Sequence, residues 1–184
     1  DVEWGDLDYL IIDFPPGTSD EPLTVAQNLP DIDGMVIVTT PQDVALLDSR
    51  KSITFSKSLK VDVIGVIENM SGYTIHGKAP AGTEIELAAP GGKTIKTTTD
   101  ENGDWSGTLD IFKAGGGEKT ANEFGVPFLG KLPFDPGFVR GGDDGVHRIV
   151  SEPEGPSAIA FAEVVAHIQS IVESASTTSK LEII

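Results

Sequence analysis

The 184-residue chain contains no cysteine. That excludes disulfides and thiolate metal ligands within it, and it suits a reducing compartment. Basic residues are scarce: ten Lys and three Arg stand against 29 carboxylates, for a formal net charge of −16. A surface of that sign repels phosphate backbones and anionic membranes at long range, which argues against nucleic-acid and lipid partners. A local, metal-bound nucleotide site stays compatible with it. No apolar run approaches the ~18 residues that a membrane-spanning helix needs. The opening "DVEWGDLDYL" has neither the basic start nor the apolar segment of an export signal. It also has no initiator Met, and it enters an apolar strand pattern within ten residues. The true N-terminus is therefore expected upstream, and a cytoplasmic setting is expected.

Hydrophobic residues make up 39% of the chain, enough for a folded domain with a sizeable core. "DYLIIDF" (8–14) is a short apolar run ended by Pro-Pro-Gly, which predicts a buried strand delivering Asp13 to its end. "SDEPLTVAQNL" predicts a short helix with Ser19 or Asp20 as its cap and Pro22 in its first turn. "GMVIVTT" (34–40) and "VDVIGVIEN" (61–69) read as two more buried strands. Between them 41–60 reads as a helix opened by Pro41, with Val44, Leu47, Phe55 and Leu59 on one face. Strands that are apolar throughout, alternating with helices, predict an α/β class with a parallel sheet covered on both faces.

The pattern changes over 72–110, which is rich in Gly, Thr and Pro. Alternating segments occur at 83–88, 93–99 and 104–110, with hairpin turns expected at Pro90-Gly91-Gly92 and Asn102-Gly103. This predicts a small antiparallel β insertion, faintly similar to the repeat units of bacterial Ig-like surface domains. After it, 114–125 reads as a Gly-led helix, 126–133 as a strand and 134–145 as a loop with room for a turn of helix. Residues 157–172 read as an amphipathic helix with Ala158, Phe161, Val165, Ile168 and Val172 on one face. The tail 176–184 reads as frayed.

Taken in order, "DYLIIDFPPGTSDEPLTVAQ", "DGMVIVTTPQDVALLDSRKSI", "VIGVIENMSGY", "IFKAGGGEKTANEFGVPFLGKLPFDP" and "RGGDDG" resemble the Mrp family. That family is the iron–sulfur carrier branch of the MinD/ParA-type P-loop ATPases. The resemblance covers nearly everything outside 73–110. It implies an incomplete MinD-like P-loop ATPase domain over 1–71 and 111–175, interrupted by the insertion at 72–110 and followed by a flexible tail at 176–184. It also implies site residues. Asp13 would be the switch aspartate, the catalytic carboxylate that holds Mg²⁺ through water at the γ-phosphate. Gly17 would bring a backbone N–H near that phosphate. Asn69 would hydrogen-bond the adenine edge, with Pro133 and Asp135 walling the base. The "GGDDG" segment (141–145) would lie near a homodimer face. Asp13, Thr39, Thr40 and Asn69 are all expected at the carboxyl edge of the predicted sheet, where open α/β folds bind ligands.

Two departures from the family limit what carries over. The Gly-rich, lysine-bearing phosphate loop is absent from this sequence and is expected upstream, so the isolated chain is expected not to hydrolyse ATP. The family's Cys-x-x-Cys pair, which holds a bridging [4Fe–4S] cluster, has no counterpart, because "GYTIHGKAPAG" and the β insertion stand in its place. The expected function is that of an ATP-binding Mrp-type carrier in iron–sulfur assembly, with ATP and Mg²⁺ as cofactors and iron–sulfur client or assembly proteins as partners. A nucleotide-switched regulator without a cluster, using the insertion to bind a protein partner, is the competing reading.

Other motifs read more plainly. "DENGD" (100–104) spaces oxygen ligands as a calcium loop would, but Trp105 stands where such a loop needs Gly, and Asn-Gly is a turn signal. "AGGGEK" (114–119) lacks G-K-[ST], so it reads as a helix start rather than a phosphate loop. His76, His147 and His167 fall in three elements without metal-ligand spacing. The C-terminal stretch 173–184 carries one Lys and two Glu, unlike the basic amphipathic helices of membrane-docking relatives.

Overall fold

The computed structural model describes residues 3–15, 20–29 and 31–179. Their elements, in chain order, are α1 (Asp20–Asn28), β1 (Met35–Thr39), α2 (Asp43–Ser58), β2 (Val63–Glu68), β3 (Tyr73–Lys78), β4 (Glu84–Ala89), β5 (Lys93–Thr98) and β6 (Asp104–Leu109). There follow α3 (Gly116–Phe124), β7 (Phe128–Lys131), α4 (Gly137–Asp144), α5 (Arg148–Ser151) and α6 (Pro156–Ser179). The parallel sheet has the order β1-β2-β7, with both pairs parallel. Each strand-to-strand connection carries a helix, as parallel pairing requires.

Both faces of this sheet are covered. On one, Ile37 and Val66 pack with Ile53 of α2 and Ala121 of α3, each 8% exposed or less. On the other, Ile64, Ile67, Leu129 and Leu132 pack against Val164 of α6, with Phe161 and Ile168 alongside. A Cβ at Gly65 would lie 2.6 Å from the Leu129 side chain and 2.8 Å from the Pro127 carbonyl oxygen. Glycine there lets β7 approach β2 closely.

Three expectations are corrected. The run 8–14 is not a strand: residues 9–15 are irregular, and Tyr9, Leu10, Ile11 and Ile12 are all exposed, Ile11 by 91%. A strand exists only where a neighbour takes its N–H and C=O groups, and none of the described strands pairs with this run. Among the described strands β1 and β7 are both edges of the sheet, and on β1 Val38 remains 58% exposed. The second correction concerns α2. Its buried positions are Leu46, Ser49, Ile53 and Ser56, whereas Val44 and Leu47 face solvent and Phe55 and Leu59 are only half-buried. Apolarity alone picked the wrong stripe, because two buried serines satisfy their hydroxyls on backbone carbonyls. Ser49 Oγ donates to Ala45 O (2.9 Å) and Ser56 Oγ to Val61 O (2.7 Å). The third is in α6, where Val164 is buried and Val165 is exposed. In addition, the turn of helix that 134–145 left room for is α4, eight residues long.

By length and a mean hydropathy of 1.3, Pro156–Ala175 of α6 matches what a membrane span needs. Its apolar side is the one laid on β2 and β7.

The β insertion is present, with one strand more than the sequence signals gave. Its strands form two antiparallel pairs, β3-β6 and β4-β5. Inward positions alternate with exposed ones along β4, β5 and β6. Leu87 and Ile95 come within 3.4 Å of where a Cβ would sit on Gly107, and the Trp105 indole lies 2.4 Å from that of Gly77. Glycine at 77 and 107 thus makes room for large neighbours. Pro90–Gly92 closes the β4–β5 hairpin, with φ of 78° at Gly91 and 74° at Gly92. Asn102-Gly103 is a turn but not a hairpin turn, since β5 and β6 belong to different pairs. Asp100 shapes it, its Oδ1 accepting the N–H of Asn102 (2.8 Å) and of Asp104 (2.9 Å). These bonds engage Asp100 in an Asx turn.

Candidate functional site

The β2–β7 ladder continues past the strand ends and builds the carboxyl edge. Asn69 N–H donates to Thr39 O (2.7 Å), and Leu132 N–H donates to Glu68 O (2.8 Å). Ser71 N–H then donates to Leu132 O (2.9 Å), and Phe134 N–H to Gly72 O (2.8 Å). Residues 69–72 and 132–134 therefore run side by side, which brings half-buried Asn69 and half-buried Pro133 to the same edge. Met70 adopts φ of 55°, and its N–H is accepted by Asn69 Oδ1 at 2.8 Å. That bond fixes the Asn69 carboxamide, and its NH₂ donates to no described residue.

Asp135 is fully engaged. Its Oδ1 accepts Gly137 N–H (2.7 Å), and its Oδ2 accepts Ser157 Oγ–H (2.7 Å) and Arg148 Nε–H (3.1 Å). One carboxylate thus ties the first turns of α4, α5 and α6 beside Pro133. Burial works against its charge, but the bonds from Ser157, Gly137 and Arg148, together with the Arg148 charge, outweigh burial and hold its pKa below the usual aspartate value. A depressed carboxylate adds stability above its unfolded pKa, about 3.9, and that contribution is lost as pH falls through the folded value. The Asp135→Asn variant is therefore expected to unfold at lower urea than the parent at pH 7. The gap should close as pH drops below about 4. A constant gap from pH 7 to pH 3 in urea melts would show that the charge is not what matters.

Sequence reasoning missed Glu68. Its side chain is 0% exposed. Its Oε1 accepts Ser71 Oγ–H (2.6 Å) and Gly115 N–H (3.0 Å), and its Oε2 accepts Gly117 N–H (2.6 Å). It is the cap that α3 otherwise lacks: Gly115, at the cap position with φ of 81°, has no side chain to offer. The signal was available in "AGGGEK", a helix start with no Ser, Thr, Asp or Asn. Its orphan N–H groups had to find a remote acceptor.

Beside this helix start a groove of about 450 Å³ opens, lined by Pro41, Asp43, Leu46, Leu47, Arg50, Lys113, Gly115, Gly116 and Lys119. Three cations gather there on a chain that is strongly acidic overall. Lys113 is ion-paired with Asp43 and Arg50 with Glu123. The hydrogen bond and charge of Lys113 push the Asp43 pKa down. A second groove, about 560 Å³, lies at the opposite end of the strands, among Asp62, Val63, Gly125 and Pro127.

Asp13 is exposed, in the irregular stretch before α1, and it bonds no described residue. Gly17 lies outside the described residues, as does the tail from 180 onward. Of the histidines, His76 faces outward on β3, and His147 precedes α5. The ring Nδ1 of His167 meets Leu129 O at 2.7 Å. Among the described residues, no group of three or more His, Asp or Glu is placed to hold a metal ion.

The described elements define an open parallel α/β domain carrying a small antiparallel β insertion. The family model of the NUBPL iron-transfer P-loop NTPases, within the ParA group, matches residues 1–95 and 99–169, and the chain belongs to that family. An iron–sulfur cluster carrier protein of Methanocaldococcus jannaschii is 40% identical over 173 residues, 94% of this chain and 50% of the relative. A protein of Trichoplax adhaerens named a cytosolic Fe-S cluster assembly factor NUBP2 homolog is 43% identical over 167 residues, 90% of this chain and 53% of the relative. Among solved structures, a nucleotide-binding protein from Archaeoglobus fulgidus in complex with ADP is similar at a TM-score of 0.53 and 31% identity. That match covers 86% of this chain and 52% of the other. The chain spans about half the length of the curated relatives it matches.

Proposed function

We propose that the chain is the C-terminal part of an ATP-binding carrier of this family, acting in iron–sulfur assembly. The observation that carries the nucleotide reading is the shared edge of Asn69 and Pro133. A carboxamide locked by its own Met70 bond presents its free NH₂ beside a proline wall, at the end of a parallel sheet where such folds bind ligands. The similar Archaeoglobus protein is in complex with ADP, which supports the same reading. In this reading Asn69 reads the adenine edge and Pro133 packs on the base. Asp135 acts through the chain, holding Pro133 in register with α4 and α6. Asp13 and Gly17 face the γ-phosphate side, with Asp13 holding Mg²⁺ through water, the hard-cation chemistry that a lone carboxylate suits. The groups that cradle the β- and γ-phosphates come from the portion of the relatives that this chain does not span. That portion also supplies a pairing strand for the exposed run 9–12, turning it into the buried strand that its composition predicts.

The 1–71 and 111–175 segments then act as one ATPase domain in a cytoplasmic homodimer, which serves iron–sulfur client or assembly proteins. Its polar partners are proteins rather than nucleic acid or membrane. The β insertion sits where the family's cluster-binding pair is expected, and no residue of this chain offers a thiolate. This favours a second reading, in which the insertion binds a protein partner under nucleotide control.

The test is ADP binding by a longer protein carrying the upstream half, with and without Asn69→Ala. Loss of the carboxamide is expected to weaken ADP about tenfold and to erase preference for adenine over guanine nucleotides. Unchanged affinity and preference would rule out Asn69 as the base-reading residue.

A further inference from the structure

We propose that Glu68 is a positioning residue that latches both roots of the β insertion and the start of α3 onto the candidate nucleotide edge. The insertion then moves with that edge as one body. Its first root leaves the edge at Ser71 and its second returns at Gly115. One fully buried carboxylate accepts from both, and from Gly117 in α3. No cation neutralises it among the described residues, so its three donors alone compensate for its burial. A Cβ on Gly117 would lie 2.9 Å from Glu68 Cβ, so glycine at 117 lets the helix close down on the carboxylate. The first root is held as well by backbone bonds, Ser71 N–H to Leu132 O (2.9 Å) and Phe134 N–H to Gly72 O (2.8 Å), whereas Glu68 ties both roots together. Tyr73 and Phe112 pack edge-on against Phe134 at 5.8 and 6.2 Å, and Lys113 pairs with exposed Asp43. The next residue after Glu68 is Asn69, whose N–H is fixed to Thr39 O. Any force on the insertion roots therefore reaches Asn69 through one residue of backbone. This consequence rests on the nucleotide reading: a ligand on Asn69 stiffens the roots, and a partner gripping the insertion alters nucleotide affinity by the same factor.

The chain's lack of cysteine makes the test clean. Spin labels are placed at Asn102→Cys in the outer turn of the insertion and at Thr54→Cys on α2, both exposed positions. The distance distribution is expected to be narrow in the parent and broad in Glu68→Gln, whose amide turns a donor toward one of the glycine N–H groups. Amide exchange at Gly115 and Gly117 is expected to quicken about tenfold or more, while the β4–β5 hairpin, which Glu68 does not touch, keeps its protection. A narrow distribution with unchanged exchange in Glu68→Gln would overturn the latch. If that variant unfolds globally, Ser71→Ala, which removes one donor, decides the matter: broadening supports the latch, and an unchanged width overturns it. In the longer protein, ADP is expected to slow exchange at Gly115 and Gly117 in the parent and not in Glu68→Gln. Bound ADP without any change at these amides would overturn the coupling. If ADP does not bind, the nucleotide reading fails, and the labels still decide the latch.

Discussion

Purified as the 184-residue chain, the protein is expected to turn over no ATP above a buffer blank. Restoring the upstream half should bring turnover back, and Asp13→Asn in that longer protein should then remove about 99% of it or more. The expectation follows from where phosphoryl transfer gets its rate. Little covalent chemistry is asked of the protein, so positioning and charge around the γ-phosphate carry nearly everything. The described residues offer three cations around the groove beside α3, two of them already paired with carboxylates, and no glycine-lysine phosphate loop occurs in the sequence. Asp13 stands exposed on an irregular segment, and no hydrogen bond or ion pair with a described residue engages its carboxylate. Pairing 9–12 into the sheet would bury Tyr9, Leu10, Ile11 and Ile12, at roughly 1.5–3 kcal/mol for each aliphatic side chain fully removed from water. That is ample to fix the residue that follows them. Phosphate release is the measurement. Turnover by the short chain, or near-normal turnover by the longer Asp13→Asn variant, would show that the switch role lies elsewhere.

How far the sequence could be read depended on whether each signal was local. The strands at 35–39 and 63–68, and the helices between and after them, were legible because apolar runs and breaker residues mark them within a few positions. The insertion was legible from its period-2 alternation and Pro-Gly-Gly, but β3 was not. Its "YTIHGK" is short, and its partner β6 lies about thirty residues downstream, so only the tertiary pairing reveals it. Asn102-Gly103 was read as a hairpin because its chemistry is that of one, yet the strands on either side pair elsewhere. The buried stripe of α2 was misread because the burial of Ser49 and Ser56 depends on carbonyl partners that hydropathy does not register. The run 8–14 misled for the opposite reason. Its composition is that of a buried strand, yet none of the described strands pairs with it.

The site shows the same division. Asn69, Pro133 and Asp135 came from the family resemblance, and the structure gathers them at one edge. Asp135, expected as a wall of the base, spends its carboxylate on Gly137, Ser157 and Arg148, so it shapes the edge from behind. Glu68 was invisible to motif reading because it serves backbone N–H groups of glycines some fifty residues away, and a motif records side chains, not orphan donors.

Anaerobic reconstitution with iron and sulfide is expected to give this chain no [4Fe–4S] chromophore. Such clusters are held by thiolates, four for a cubane, and even the histidine-bearing Rieske type keeps two cysteines. The family's bridging arrangement takes two thiolates from each subunit, and two copies of a cysteine-free chain still supply none. Imidazole offers no substitute. His76 faces outward opposite Ser106, and His167 is engaged with the Leu129 carbonyl oxygen. Two carboxylates of the insertion are paired with lysines, Asp104 with Lys78 and Glu86 with Lys96. Where the resemblance places the cluster pair, this chain carries a folded β unit, which in the proposed reading is rooted through Glu68 in the candidate nucleotide edge. A cluster handled by the intact protein would therefore be cargo held by residues beyond this chain, or passed along by a partner bound to the insertion. The measurement is iron, sulfide and the visible absorption of the desalted chain, compared with the longer protein. A stoichiometric, oxygen-sensitive cluster on the short chain would overturn the assignment, whereas a cluster on the longer protein alone would place the ligands upstream. If neither binds one, the partner-binding reading of the insertion stands.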